Sequence, residues 1–317
     1  MPDRLYIPPR WLFNAHFETI YPALFRRVNL IAYSRERIET SDGDFLDLDW
    51  LKQNARKLVI IQHGLEGNTT RAYIKGMARI FYENGFDVLT WNYRGCSEEM
   101  NRLLRFYHSG ATEDLDAVVT HAIQAKQYES IYLIGFSLGG NLTLKYLGEK
   151  EPNPIIKKAI VFSVPLHLES SCKKISHWSN AIYARRFIKS LNNKVLAKSR
   201  IVSGLDIKHI KKIKTLMDFD DAYTAPLHGF KNATDYYEKN SSVNFLDSIV
   251  TPTLIVNTTN DPFLSKECFP TDILKYHPFV KMEVYDRGGH VGFTQRNPNG
   301  IYWSEQRALD WITSVTP

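Results

Sequence analysis

Cysteine is scarce in this 317-residue chain: there are three, Cys96, Cys172 and Cys268. They are widely separated and odd in number, which argues against a disulfide framework and a zinc cluster and makes a reducing cytoplasm the expected location. No apolar run approaches the roughly 18 residues that cross a bilayer. Residues 1–11 mix charges and prolines where a secretory signal would carry an apolar stretch. HxH, HExxH and CxxC pairs are missing, and so are a GxGxxG fingerprint and a GxxxxGK phosphate loop. No metal or other cofactor is therefore expected. Internal repeats and low-complexity tracts are absent as well.

What is present is ordinary for a globular protein: 44% hydrophobic and 23% charged residues, with 17 Tyr, 17 Phe and 6 Trp for a core and an apolar pocket. The net charge of +6 is uneven. Residues 167–240 hold 14 Lys and Arg against 7 Asp and Glu, whereas the remainder is nearly balanced at 26 against 27. A basic excess confined to one segment marks a distinct insert and argues against a general nucleic-acid surface.

Alternation of Leu46, Leu48 and Trp50 with Asp47 and Asp49 predicts a half-buried strand. The short apolar run at 57–62 reads as a strand covered on both faces and 86–91 as another buried strand; 131–134, 159–163, 253–257 and 280–285 read as further strands. Helical stretches are expected at 69–84, closed by Gly85, and at 112–126 with Thr112 as N-cap. Others are expected at 138–149, near 265–276 and at 302–313. The first 35 residues read as an extended arm with one short helix. Strands alternating with helices of this length imply right-handed crossovers and a mostly parallel sheet, an α/β architecture in a single domain over 1–317.

Gly135-Phe136-Ser137-Leu138-Gly139 has the form GxSxG between an apolar strand and a helix. A strand that reverses so sharply into a helix strains the serine backbone, projects its hydroxyl and leaves no room for neighbouring side chains. Ser137 is thus the candidate nucleophile. A hydroxyl needs a base to be nucleophilic at neutral pH. His277 precedes Pro278 at the end of a helix entering a strand, the wrong end of a parallel sheet. His290 follows strand 280–285 and Gly288-Gly289, and is the candidate base. Asp261, just beyond strand 253–257, is the candidate acid that fixes the imidazole tautomer. Asp247 lies before that strand, and Glu267 and Asp272 after it. Two backbone donors are needed for a tetrahedral oxyanion. They are assigned to Leu138, next to the nucleophile, and to Leu65 in His63-Gly64-Leu65-Glu66-Gly67-Asn68. His63 reads as a loop-shaping residue; Glu66 orders the loop or is solvated.

These motifs, with NAHFETIYP (14–22), NYRGCS (92–97), NRLLRFYHSGATEDL (101–115), NDPF (260–263) and GGHVGF (288–293), resemble the YheT-type branch of the α/β-hydrolases. That branch comprises bacterial esterases and related eukaryotic abhydrolase-domain lipases. The likeness spans nearly the whole chain, including FDDAYTAPLHGFKNATDYY (219–237), which is similar to the family's lid. It implies an α/β-hydrolase fold with a helical lid insertion at 165–248 and carboxylester hydrolysis. In some relatives it implies acyl transfer to alcohols or phospholipid cleavage. Arg94-Gly95 and His108-Ser109-Gly110 are expected to build turns.

Within the insert, Trp178, Ile182, Tyr183, Phe187, Ile188 and Leu191 share one helical face against Arg185, Arg186 and Lys189. Ile207, Ile210, Ile213 and Met217 do the same against Lys208, Lys211, Lys212 and Lys214. Either the apolar faces pack on the core and the basic faces are solvated, or the insert lines an acyl pocket and meets an anionic membrane through its basic face. Three functions suit the residues: hydrolysis of small-molecule or lipid esters, acyl transfer or thioester cleavage by the same groups, and partner binding by a catalytically idle scaffold.

Overall fold

An eight-stranded sheet forms the centre of the structure, a computed structural model that describes residues 6–295, 297 and 299–315. The strands are β1 (Ser34–Glu39), β2 (Phe45–Leu51), β3 (Lys57–Gln62), β4 (Asp87–Asn92), β5 (Ser130–Phe136), β6 (Ile156–Phe162), β7 (Thr253–Thr258) and β8 (Val280–Tyr285). Their spatial order is β1-β2-β4-β3-β5-β6-β7-β8. β2 runs antiparallel to β1 and β4, and every other pair is parallel.

Helix α1 (Ala15–Phe25) precedes the sheet, and α2 (Ala72–Glu83), α3 (Thr112–Ala125) and α4 (Leu138–Glu149) are crossovers within it. Between β6 and β7 come α5 (Leu168–Ser176), α6 (Ala181–Lys198), the short α7 (Leu216–Phe219) and α8 (Ala225–Leu227), and α9 (Ala233–Asn240). The short α10 (Thr271–Leu274) and the closing α11 (Trp303–Thr313) follow. Ile74, Met77 and Phe81 of α2 join Trp303 and Trp311 of α11 on one face of the sheet. Leu115 and Val118 of α3 join Leu142 and Leu144 of α4 on the other. The runs β3, β5, β6 and β7 are apolar because both their faces are covered in this way.

β2 departs from the half-buried expectation: all seven of its residues are buried. The unforeseen edge strand β1 sets Arg35 opposite Asp49 and Arg37 opposite Asp47. Each arginine makes two hydrogen bonds to its carboxylate, at 2.5 and 3.1 Å for Asp49 and at 2.7 and 2.9 Å for Asp47. Paired charges can leave water where single ones cannot. Thr112 is the first residue of α3 rather than its cap, and its hydroxyl donates to Glu149 at 2.6 Å. Residues 265–276 form a 3₁₀ turn and α10 instead of one helix, since Pro270 interrupts them.

The segment between β6 and β7 consists of helices joined by turns, with no strand, and has its own apolar cluster, centred on Leu168, Leu191, Val195, Phe219 and Tyr237. Tyr183, Ile188 and Leu191 are buried in α6 as the periodicity requires, but Trp178 and Ile182 point into solvent. The helix expected over 207–217 is also absent. Turns and a 3₁₀ segment at Ile210–Lys212 lead to α7, with Ile210 and Ile213 buried and Ile207 exposed. Directly after α7, Asp220–Thr224 form a π-helical turn.

Candidate active site

Ser137 stands between β5 and α4 with φ +52° and ψ −120°. This left-handed backbone is costly for any residue with a Cβ, and a tight elbow imposes it. The glycines around it answer to space. A Cβ on Gly135 would lie 2.5 Å from the Gly139 carbonyl oxygen, and one on Gly139 would lie 2.5 Å from that of His63. Both obstacles are backbone, so neither position tolerates a side chain without displacing the turn.

His290 bridges the other two predicted residues. Its Nε2 lies 2.9 Å from Ser137 Oγ and its Nδ1 lies 2.8 Å from Asp261 Oδ2. With Nδ1 protonated, Nε2 accepts from the serine hydroxyl, as a general base must. Asp261 is almost fully buried, and its Oδ1 accepts from the Phe263 amide at 2.8 Å. The Phe263 ring packs on the imidazole at 4.2 Å between centroids.

Two further supports of His290 escaped sequence reasoning. Thr19 on α1 accepts from the His290 amide at 2.9 Å, and Glu18 accepts from Gly288 at 2.9 Å and from Asn260 at 2.7 Å. The GGHVG loop lies so close to α1 that a Cβ on Gly292 would come within 2.3 Å of the Glu18 carbonyl. The conspicuous NAHFETIYP stretch was the available signal, but nothing local says what its Glu and Thr touch.

Leu138 opens α4, so its amide has no acceptor within the helix. Among the described residues, neither its N–H nor that of Leu65 is engaged in a hydrogen bond. A Cβ on Gly64 would sit 3.0 Å from Ser137 Cβ, which shows how closely the Leu65 loop passes the nucleophile. His63 shapes this loop. Its buried ring meets the Gly64 carbonyl at 2.8 Å through Nδ1 and accepts from the Tyr93 amide through Nε2 at 3.4 Å. Burial pushes its pKa down to about 3, so it is neutral.

Glu66 is not solvated. Its carboxylate accepts from Lys194 of α6 at 2.7 Å, from Tyr107 at 2.8 Å and from Ser190. Burial alone would raise the carboxyl, but Lys194 and the hydroxyl donors outweigh it and hold the pKa below the usual value. The predicted turn motifs are held by buried contacts, and His108 and Ser109 also line a cavity that reaches Ser137. Arg94 is buried against Asp114 at 2.6 Å and Asp42 at 2.8 Å, and a Cβ on Gly110 would collide with Asn240.

Ser137 opens onto two cavities. The inner one, of about 120 Å³, lies beneath the insertion and is lined by Leu65, Leu138, Leu168, Cys172, Val195 and Phe219 among others. The outer one, of about 320 Å³, lies between α1, α2 and α6, with Ile20, Leu24, Tyr183, Phe187 and His290 on its walls. Asp220 also lines the inner cavity. Burial, assisted by Asp221 and opposed by Thr224 and Tyr237, raises its pKa to about 6. A carboxyl that keeps its proton longer when folded makes the fold less stable as pH rises from about 4 to about 6. The loss levels off at about 3 kcal/mol above that range. Asp220→Asn should therefore gain stability relative to the native chain at pH 7 and not at pH 4, read from urea midpoints at both pH values.

The sheet order, the crossovers and a strained serine at the end of the central strand define an α/β-hydrolase. A family model described as alpha/beta hydrolase fold matches residues 57–296, and the chain belongs to that family. Over 98% of this chain and 93% of the relative, it is 32% identical to YheT of Escherichia coli K12, whose name marks it as a presumptive esterase. It is 28% identical to phospholipase ABHD3 of Bos taurus, over 97% of this chain and 76% of that protein. The monoacylglycerol lipase of Saccharomyces cerevisiae is also 28% identical, over 80% of this chain and 58% of the relative. Among solved structures, the Pyrococcus furiosus esterase Pf2001 superposes with a TM-score of 0.60 at 18% identity, covering 90% of this chain and 97% of that one. Among the described residues no helix is long and apolar enough to cross a membrane.

Proposed function

We propose that the protein is a serine carboxylester hydrolase that works through an acyl-enzyme. The observation that carries this reading is the double contact of His290, at 2.9 Å to Ser137 and 2.8 Å to Asp261. Ser137 attacks the ester carbonyl while His290 takes its proton, and His290 then returns the proton to the departing alcohol. Asp261 holds the tautomer and stabilises the imidazolium. The amides of Leu65 and Leu138 receive the oxyanion. Water, activated by the same imidazole, releases the acid.

The apolar inner cavity takes the acyl chain, and its modest volume favours short to medium lengths. The insertion 165–248 acts as the lid over it. The outer cavity takes the alcohol portion, and its larger volume suits a glyceryl or phosphoglyceryl group, in keeping with relatives named as a phospholipase and a monoacylglycerol lipase. Acyl transfer to an alcohol or thioester cleavage would use the same groups. An idle scaffold would have no use for a strained serine.

The test is a short- to long-chain p-nitrophenyl ester series together with a fluorophosphonate probe. Turnover should peak at short to medium chains, and the probe should label Ser137, located by peptide mass spectrometry. Labelling elsewhere, or none with no turnover of oxygen esters, would remove the reading.

A further inference from the structure

The rim of the outer cavity is apolar on the outside as well as within. On α1 and the turn before it, Phe13, Phe17, Leu24 and Phe25 are exposed; at the start of α6, so are Trp178 and Ile182. Phe13 and Trp178 show 68% and 82% of their surfaces to solvent. The Phe13 and Phe17 rings meet at 4.8 Å between centroids, and Trp11, Tyr21 and Phe25 form a second aromatic row at 4.5 and 5.4 Å. Leu24 belongs both to this surface and to the cavity wall. The two sides meet where His16 of α1 hydrogen-bonds Tyr183 of α6 at 3.1 Å. Large aromatics left in solvent on elements that wall a cavity reaching Ser137 are not explained by packing, and exposed apolar clusters of this kind mark an interaction surface.

Charge selects the partner. In residues 6–33 and 177–190 the sole acidic side chain is Glu18, which is buried. Arg10, Arg27, Arg185, Arg186 and Lys189 are all exposed there. Aromatic and aliphatic side chains interspersed with unopposed cations match a bilayer interface whose headgroups are anionic. The lysines at 208, 211, 212 and 214 are exposed too, but none of them lines either cavity and Ile207 is the exposed large apolar side chain beside them.

We infer that the rim built by α1 and the start of α6 is a docking surface for an anionic phospholipid bilayer, and that it turns the outer cavity towards the lipid. The surface would let an ester enter from the membrane without crossing water, a consequence that rests on the ester-hydrolase reading. The docking itself does not.

The experiment uses the full chain carrying Ser137→Ala, so that no lipid is consumed, and sedimentation with vesicles of phosphatidylcholine alone or mixed with phosphatidylglycerol. Sedimentation should require phosphatidylglycerol and fall with salt. Combining Phe13→Ser, Phe17→Ser, Trp178→Ser and Ile182→Ser should lower partitioning by about tenfold or more. Combining Arg185→Glu with Lys189→Glu should do the same on the anionic vesicles. In the serine-bearing background, neither set should change turnover of a soluble short-chain ester by more than about twofold, because none of these side chains lines a cavity.

Four results would overturn the inference. One is absence of binding to either vesicle, and a second is binding unaffected by the rim variants. A third is binding lost only when Lys208, Lys211, Lys212 and Lys214 are changed to Gln. The last is a lipid-independent dimer abolished by the rim variants, which would make a second copy of the chain the occupant. Inactivity towards esters with vesicle binding intact would instead remove the hydrolase reading and leave the docking surface standing.

Discussion

Ser137→Ala is expected to lower turnover of a p-nitrophenyl ester by on the order of a thousandfold or more, with the fold intact. The substitution deletes one oxygen. It leaves the Cβ in the same left-handed backbone, so the strain of the elbow is retained rather than relieved. Thermal stability should therefore change by only about 1 kcal/mol, the worth of the lost hydrogen bond to His290. The amides of Leu65 and Leu138 remain, so residual activity above the uncatalysed rate is expected and does not count against the nucleophile. Steady-state rates of native and variant chains, each with a thermal melt, check both halves. Equal rates would show that the contact between His290 and Ser137 has no catalytic use.

Lys194→Met is the second large effect, and it tests how the insertion is tied to the Leu65 loop. The substitution keeps the length of the side chain and removes the charge, leaving the Glu66 carboxylate buried with hydroxyl donors only. Stripping one partner from a buried pair costs about 3 kcal/mol or more. Glu66→Gln should cost less, and the double variant should recover most of the loss, because both desolvation penalties then vanish together. The pH window follows from the direction of each shift. The depressed Glu66 pKa makes its contribution complete above the ordinary carboxylate value of about 4.3, and it is lost as pH falls through the lower folded value.

Burial lowers the Lys194 ammonium, but Cys96 and Glu66 more than offset it. Its folded pKa is thus raised, and its contribution survives until pH rises above about 10. Urea midpoints of the two single variants and the double variant at pH 7 give the coupling. Since Leu65 adjoins Glu66, the ester-hydrolase reading adds that Lys194→Met should lower kcat by about tenfold.

Legibility in the sequence followed the range of the interactions. Strands β3 to β7 and helix α4 were readable because a strand covered on both faces is rich in apolar residues, and a helix after a glycine-bounded serine is a local matter; the edge strand β8 was readable from its place in the strand–helix alternation. That Ser137, Asp261 and His290 would meet was readable because a parallel sheet presents the ends of its strands on one side. Their separation along the chain therefore did not matter. β1 was missed because its sequence, Ser-Arg-Glu-Arg-Ile-Glu, has no apolar period; its place depends on Asp47 and Asp49 across the strand.

Helix 207–217 was expected from side-chain spacing alone and does not form, since burial of Ile210 and Ile213 is achieved by turns. In α6 the apolar face had to be divided between a core and a solvent-facing rim, and periodicity cannot distinguish them. What the sequence by itself determined is the order of elements and the choice of Ser137, Asp261 and His290 as side chains that would meet, because periodicity, glycine sterics and topology act locally or through chain order. Only the tertiary structure decided that Glu18 and Thr19 brace the histidine loop, that Lys194 is buried on Glu66, and that Trp178 is exposed. Each of these is a contact, or the lack of one, between surfaces far apart in the chain, and no local pattern encodes it.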